Sequence, residues 1–381
     1  MARIRQLPFG WVQKNLVNIA PLQRGFDLPH SKIEKGDYPV VYSNGVLNYH
    51  SNYMVKSPGV VTGRSGTIGK VIFIEENFWP HNTSLWVTNF KSNYPLFIYY
   101  LYVFLRLDRF QTGSGVPTLN RNDVHAYEVI IPRGIKEQRA IATALSDTDE
   151  LISSLDKLIT KKRNIKKATM QQLLTGKKRL PGFSGEWEVK RLGHCFKFLK
   201  GRGLSKSKLS IDGEKECILY GELFTTYNEK ITKVFSKTNC NEGVKSIYGD
   251  ILMPGSTTTS GIDLAIASAL MRNNILLGGD INILRPLNSD ISSAFFAYYL
   301  TYSKKEEIVK KTQGITIIHL YGSRLSDIVI ELPNEAEQAA IARILSEMDT
   351  EIEVLEQKRD KYKAIKQGMM QELLIGKTRL G

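Results

Sequence analysis

The stretch Glu137–Leu180, EQRAIATALSDTDELISSLDKLITKKRNIKKATMQQLLTGKKRL, decides how this chain is read, because it returns as Glu337–Leu380, EQAAIARILSEMDTEIEVLEQKRDKYKAIKQGMMQELLIGKTRL. The two align without a gap at an offset of 200 residues, Glu137 onto Glu337. Gln138, Ile141, Leu145, Asp149, Ile152, Leu155, Lys166, Met170, Leu173, Leu174, Gly176 and Arg179 all recur as the same residue. In the first copy Ile141, Leu145, Thr148, Ile152, Leu155, Ile159, Lys162, Lys166, Thr169 and Leu173 follow alternating steps of four and three. In the second Ile341, Leu345, Met348, Ile352, Leu355, Arg359, Tyr362, Lys366, Met369 and Leu373 do the same. That is a heptad seam. Pro132 and Pro333 stand before the helices, and Gly176 and Gly376 stand where they should stop. Each helix should run about 60 Å at 1.5 Å per residue. A helix so long needs a partner for its apolar seam, and the economical partner is the other copy. The seam turns polar midway, at Lys162, Lys166, Arg359 and Lys366.

The repeat reaches further back. Trp11, Leu16 and Gly25 align with Trp187, Leu192 and Gly201; Gly113, Leu119 and Pro132 align with Gly314, Leu320 and Pro333. Between these anchors the halves diverge, as expected of one framework carrying two different readers. The expected division is a first module over 1–133, a first long spacer helix over 134–178, a second module over 179–334 and a second spacer helix over 335–381. Gly59–Val61, Lys70–Ile74, Ser84–Val87, Val129–Ile131, Ser246–Met253, Ile281–Leu284 and Asp327–Ile330 look like short strands between Gly, Asn and Ser turns. Leu96–Phe110 and Ser292–Lys311 read as helices. The fold class is therefore α+β: two globular modules and two long helices, with a pseudo-twofold internal repeat.

The chain of 381 residues carries 52 Lys and Arg against 38 Asp and Glu, a net charge of +14. Such an excess favours a polyanionic partner, with nucleic acid first. No apolar run suits a signal peptide or a membrane span, so a cytoplasmic protein without a membrane partner is expected. Cys195, Cys217 and Cys240 are odd in number and form no CxxC pair, which argues against a disulfide framework and a structural zinc site. Gly63–Val71 resembles a phosphate loop, but it has one residue too many, and Val71 stands where Ser or Thr must hold magnesium. No nucleophile–base or paired-carboxylate constellation stands out, so catalytic and metal-ligating residues are expected to be none.

What remains suits DNA. Arg64, Ser65, Thr67 and Lys70 share a glycine-rich turn, and Asn44, Asn82 and Thr83 offer short polar side chains in the same module. Ser256, Thr257, Thr258, Thr259 and Ser260 form a hydroxyl-rich loop in the second. Arg and Lys can fork onto guanine, Asn onto adenine, and Ser or Thr onto base or phosphate. Arg24, Lys200 and Arg202, near the module entrances, suit backbone neutralisation. Met170, Leu174, Met370 and Leu374 exceed what one seam needs. They are expected to dock the modification subunits; the competing reading is intramolecular core.

These features together resemble a known family. An entrance Trp-x4-Leu precedes a glycine. Gly63-Arg64-Ser65-Gly66-Thr67-Ile68-Gly69 or Gly249-Asp250-Ile251-Leu252 lies mid-module, and Glu-Gln-x-x-Ile-Ala-x-x-Leu opens each long helix. This looks like the DNA-specificity subunit of Type I restriction-modification enzymes. The resemblance implies two target-recognition domains held apart by an antiparallel coiled coil, each reading one half of a split site in double-stranded DNA. It implies no catalysis in this chain. Two modification subunits would methylate adenine with S-adenosylmethionine, and restriction subunits would add ATP- and Mg-dependent translocation and cleavage. The second module lacks the Gly-Thr-Ile-Gly turn, so contacts do not transfer between halves. Two alternatives remain: a self-contained restriction-methylation enzyme, and a coiled-coil nucleic-acid scaffold without a methylation partner.

Overall fold

A computed structural model describes residues 7–112 and 115–380; Gly113, one of the repeat anchors, lies outside them. The chain divides into two compact units, Met1–Lys157 with Glu356–Gly381, and Leu158–Leu355. Each unit holds one module together with a segment of both long helices. The unit cores take in the ends of the long helices: Ile141, Leu145 and Leu374 in the first, Leu174, Ile341 and Leu345 in the second.

The first unit contains β1 (Trp11–Asn15), β2 (Leu22–Arg24), β3 (Gly59–Gly63), β4 (Val71–Ile74), β5 (Ser84–Val87) and β6 (Glu128–Pro132). β1 pairs antiparallel with β6, and a four-stranded sheet runs β2-β5-β3-β4. β3 is buried along its whole length, which explains its unbroken GVVTG rather than an alternating pattern. Helix α1 (Pro95–Leu105) starts with proline in its first turn and lays Phe97, Ile98 and Leu101 into the core. Helix α2 spans Ile135–Leu173.

The second unit repeats the plan. β7 (Glu188–Arg191) pairs with β12 (Val329–Leu332). β8 (Phe196–Lys200), β9 (Asp250–Pro254), β10 (Ser268–Leu270) and β11 (Ile281–Pro286) lie in the order β8-β11-β9-β10, the path of the first sheet, with Lys230–Ile231 added at the edge. Three expectations need correction. In the first unit Leu96–Phe110 is not one helix: Arg106, at φ 50°, ends α1, and a short 3-10 turn follows at Leu107–Phe110. Ser246–Met253 is not one strand: Gly249, at φ 88°, turns the chain before β9 begins at Asp250. Ser292–Lys311 is not one helix: α3 (Ser293–Tyr302) ends, and a short helix restarts at Lys305–Val309. Helix α4 spans Glu335–Leu373.

All the seam positions named from sequence are buried or half-buried, and most of the residues between them are exposed. In the first unit Lys366 donates to Asp149 at 2.6 Å and Arg359 meets Asp156 at 3.4 Å. In the second, Lys162 meets Glu351 at 2.6 Å and Lys166 meets Asp349 at 2.5 Å. Within each unit, residue numbers rise along α2 as they fall along α4, so the helix segments pack antiparallel.

The Glu-Gln pair that opens each helix proves structural. Gln138 accepts from the Tyr94 amide and donates to the Pro132 carbonyl, both at 2.8 Å; Gln338 does the same with Ser292 at 3.1 Å and Pro333 at 2.9 Å. Each glutamine thereby ties the last strand of its module to the helix start. Glu137 binds Arg379 and the Trp11 indole, and Glu337 binds Arg179. Gly376, at φ 70°, brings the chain close against Pro8 and Trp11, and Gly176, at φ 66°, brings it close against Trp187.

The docking expectation is corrected by burial. Met170 and Leu174 lie in the second unit's core with Phe295 and Leu345; Leu374 lies in the first unit's core with Phe97 and Leu145, and Met370 packs half-buried against it. Leu174 and Leu374 are 0% and 1% exposed. The apolar surplus exists because each helix end meets a module as well as the other helix.

Candidate nucleic-acid interface

The first module's polar residues converge at the end of β3, where the ladder gives way to turns. Arg64 and Ser65 both donate their amides to the Thr83 carbonyl, at 2.8 and 3.2 Å, and Leu119 donates back to the Arg64 carbonyl at 2.8 Å. Gly66 and Gly69 hold φ 83° and 90°, which an L side chain rarely adopts. The turn Gly63–Lys70 is thus pinned beside Asn82 and Thr83, which are distant in sequence. The Arg64 guanidinium donates to the Asn82 carbonyl at 3.2 Å. Asn82 donates its side-chain amide to Asp27, which also pairs with Arg24 at 3.2 Å. Lys70 donates to the Asn44 carbonyl at 2.6 Å. The structure therefore gathers Arg24, Asn44, Arg64, Ser65, Lys70, Asn82 and Thr83 into one region, with Thr67 exposed on the turn between them. Arg64 is half-buried, and Thr67 and Lys70 are more exposed. His81 packs against the Tyr42 ring at a tilt, centroids 4.2 Å apart, and shares a 3.0 Å hydrogen bond with Thr83; burial lowers its pKa, favouring the neutral ring.

The second module places its loop at the same topological position, after β9. Ser256–Thr257 pairs with Ile318–His319, as Ser65 bridges to Thr118 in the first module. Asp280, which immediately precedes β11, stands where Thr83 precedes β5; its carbonyl accepts from the Gly255 amide at 2.6 Å. Asp280 adopts φ 57°, a left-handed conformation, after Gly278 and Gly279. A cleft of about 770 Å³ opens here, lined by Thr257, Thr258, Thr259, Asp263, Tyr220 and His319 among others. Lys200 reaches its edge through a 3.5 Å pair with Asp280, and Arg202 is exposed nearby in sequence.

Two of the hydroxyls serve the fold. Ser256 is 7% exposed and donates to Asp280 at 3.2 Å. Ser260 caps the turn Gly261–Leu264, accepting from the Ile262 amide at 3.3 Å while Asp263 accepts from the Ser260 amide. These two hydroxyls help hold the loop in place. Thr257, Thr258 and Thr259 remain open to the cleft. Sequence reasoning missed Asp27, Asp263, Asp280, Tyr220 and His319. Only Asp280 had a usable signal, the Gly-Gly before it.

Among the described residues no group of His, Cys, Asp and Glu could hold a metal ion. No described helix is long and apolar enough to cross a membrane. The two sites present donors, acceptors and hydroxyls at loop ends carried by rigid sheets. That chemistry can bind the edges of bases and phosphate oxygens.

The family model for the Type I restriction modification DNA specificity domain matches twice, over residues 8–166 and 184–364. The MjaX type I restriction enzyme specificity subunit of Methanocaldococcus jannaschii is 25% identical over 282 residues, 69% of this chain and 62% of that protein. The MjaVIII specificity subunit of the same organism is 27% identical over 293 residues, 70% of this chain and 66% of that one. The chain thus spans slightly less than two thirds of the length of these curated relatives. A crystal structure of a Type I restriction-modification system S subunit from M. genitalium shares the fold, with a TM-score of 0.67 at 17% identity over 98% of both chains.

Proposed function

We propose, from the premise that this chain belongs to the family of Type I restriction modification DNA specificity domains, that it is the non-catalytic DNA-reading subunit of a restriction-modification complex. Each module reads one half of a bipartite site in double-stranded DNA. The two long helices form an antiparallel coiled coil that sets the unread gap and offers the surface on which two modification subunits assemble. Those partners supply S-adenosylmethionine-dependent methylation of adenine; restriction subunits supply ATP- and Mg-driven translocation and cleavage. The complex works in the cytoplasm.

One observation carries this reading. The two modules share a strand path and a loop position, yet the loops differ in chemistry: Arg64, Lys70 and Asn82 in one, threonines with Asp263 and Asp280 in the other. A duplicated frame with divergent loops is what two unlike half-sites require. The excess of 14 positive charges suits the phosphate backbone that both modules must approach.

The purified chain tests it directly. Alone, it should bind DNA without methylating it; co-expressed with its modification subunit, it should co-purify with that subunit and direct adenine methylation to defined sites. Methylation by the chain alone would establish a self-contained enzyme instead. DNA binding with no methylation in any co-expression would leave a scaffold.

A further inference from the structure

We propose that a Tyr–Asp–Lys triad, present once in each unit, fixes the register of the two long helices and the seat of each module on them. Resting on the DNA-reading function above, these triads are positioning residues that determine the length of the unread gap. In the second unit Asp349 of α4 accepts from Lys166 of α2 at 2.5 Å on one oxygen and from the Tyr298 hydroxyl of α3 at 2.6 Å on the other. In the first, Asp149 of α2 accepts from Lys366 of α4 at 2.6 Å and from the Tyr100 hydroxyl of α1 at 2.9 Å. Each ammonium also lies over its tyrosine ring, at 5.2 Å for Lys166 and 5.5 Å for Lys366. One carboxylate thus joins three helices: both spacer helices and the module helix packed on them.

The repetition matters because the halves diverge elsewhere. The aspartate and lysine recur at the helix repeat's own spacing, and the tyrosine recurs on helices whose sequences, PLFIYYLYVFL and SAFFAYYLTY, otherwise differ. The second copy is the more elaborate. Glu229 stands 3.8 Å from Lys166 and accepts the Tyr302 hydroxyl at 2.7 Å, whereas Phe104 occupies the corresponding position of α1.

Lys166 is 8% exposed and is the buried lysine or arginine among the described residues. A buried ion pair adds little stability over apolar residues of similar volume, so stability is a poor reason for it. A seam made only of Ile, Leu and Met could slide by a heptad and bury as much surface. A seam that holds a lysine on one helix and its aspartate on the other is satisfied in one alignment only, the role of a lone polar residue in coiled coils. Burial and the neighbouring aspartates raise the pKa of Tyr298 and Tyr100 well above the ordinary phenol value, so both remain donors at neutral pH.

The test maps methylated adenines in cells carrying the chain and its modification subunit. The unchanged chain must first give a bipartite motif with one gap; failure there would overturn the DNA-reading function and not the triads. The Lys166→Met/Lys366→Met double variant keeps the volume and removes both charges. Its half-site letters should be unchanged, but neighbouring gap lengths should hold about one tenth or more of the methylated sites, as when a preference shrinks to tenfold. The charge swaps Lys166→Asp/Asp349→Lys and Lys366→Asp/Asp149→Lys, made together, should return the single gap. Should the double variant not fold, Tyr100→Phe/Tyr298→Phe removes a hydrogen bond from each triad without baring a charge and should loosen the gap in the same direction. A single unaltered gap in every folded variant would overturn the proposal, as would broadening that the swaps fail to reverse.

Discussion

At the scale of single residues, Arg64 is the sharpest test of the first module. Its backbone is fixed at the end of β3, and its guanidinium rests on the Asn82 carbonyl with donors to spare. Arg64→Ala should weaken specific DNA binding by about 1–3 kcal/mol and relax one half-site position. Lys70→Ala should instead weaken binding to all sequences alike and lower the salt slope by about one. Equal affinity of the Arg64 variant and the unchanged chain at several salt concentrations would remove Arg64 from the interface. The residue types of this site were legible in the sequence, since Arg, Lys and Asn around glycine turns have few uses within a core. Their assembly was not legible, because Asn82 and Thr83 reach Arg64 only through the pairing of β3 with β5. The serines of the second loop show the converse. A Ser/Thr run suits helix and turn capping as well as base contact, and the sequence carries no mark of which hydroxyl does which. Ser260 went to a cap and Ser256 to Asp280.

Among the elements, the long helices were the most legible, because a 3.5-residue period sustained along a whole repeat leaves no other reading. The short strands were only partly legible. β3 and β9 are buried on both faces, so they lack the alternation that marks a half-exposed strand. The break at Gly249 is a glycine turn at φ 88°, and α3 ends at Tyr302 before the short helix at Lys305. The helices also support a prediction about length. The ion pairs Lys366–Asp149, Arg359–Asp156, Lys162–Glu351 and Lys166–Asp349 fix the alignment in both units. An insertion into α2 alone would therefore break half of them. Four residues added after both Lys157 and Gln357, level with each other between the two sets of pairs, keep the pairs and lengthen the helix pair by about 6 Å. At about 3.4 Å per base pair, the methylated motif should gain at most about two base pairs of gap, with its half-site letters unchanged. Altered letters at an unaltered gap would contradict the ruler.

For the whole molecule, stability and recognition make separate claims. Burial pushes the Cys217 thiol up to about 11 and the Tyr227 phenol up to about 12, and raises Tyr102, Tyr298 and Tyr302 as well. These groups are neutral when protonated, so unfolding lowers their pKa and the unfolded chain loses protons first. Their contribution is complete below about pH 9 and is lost as pH rises through the thiol and phenol range. The urea midpoint should therefore fall steadily from about pH 9 upward, and a midpoint flat to pH 11 would refute this. The proposed recognition draws on the duplicated frame: two sheets of one strand path, two unlike loops, and two helices that each begin in one unit and end in the other. The most direct test is a genome-wide map of methylated adenines in cells given this chain with its modification subunit. The account predicts one asymmetric motif, two short blocks of specified bases separated by a fixed run of unspecified ones. A contiguous or palindromic motif would contradict it.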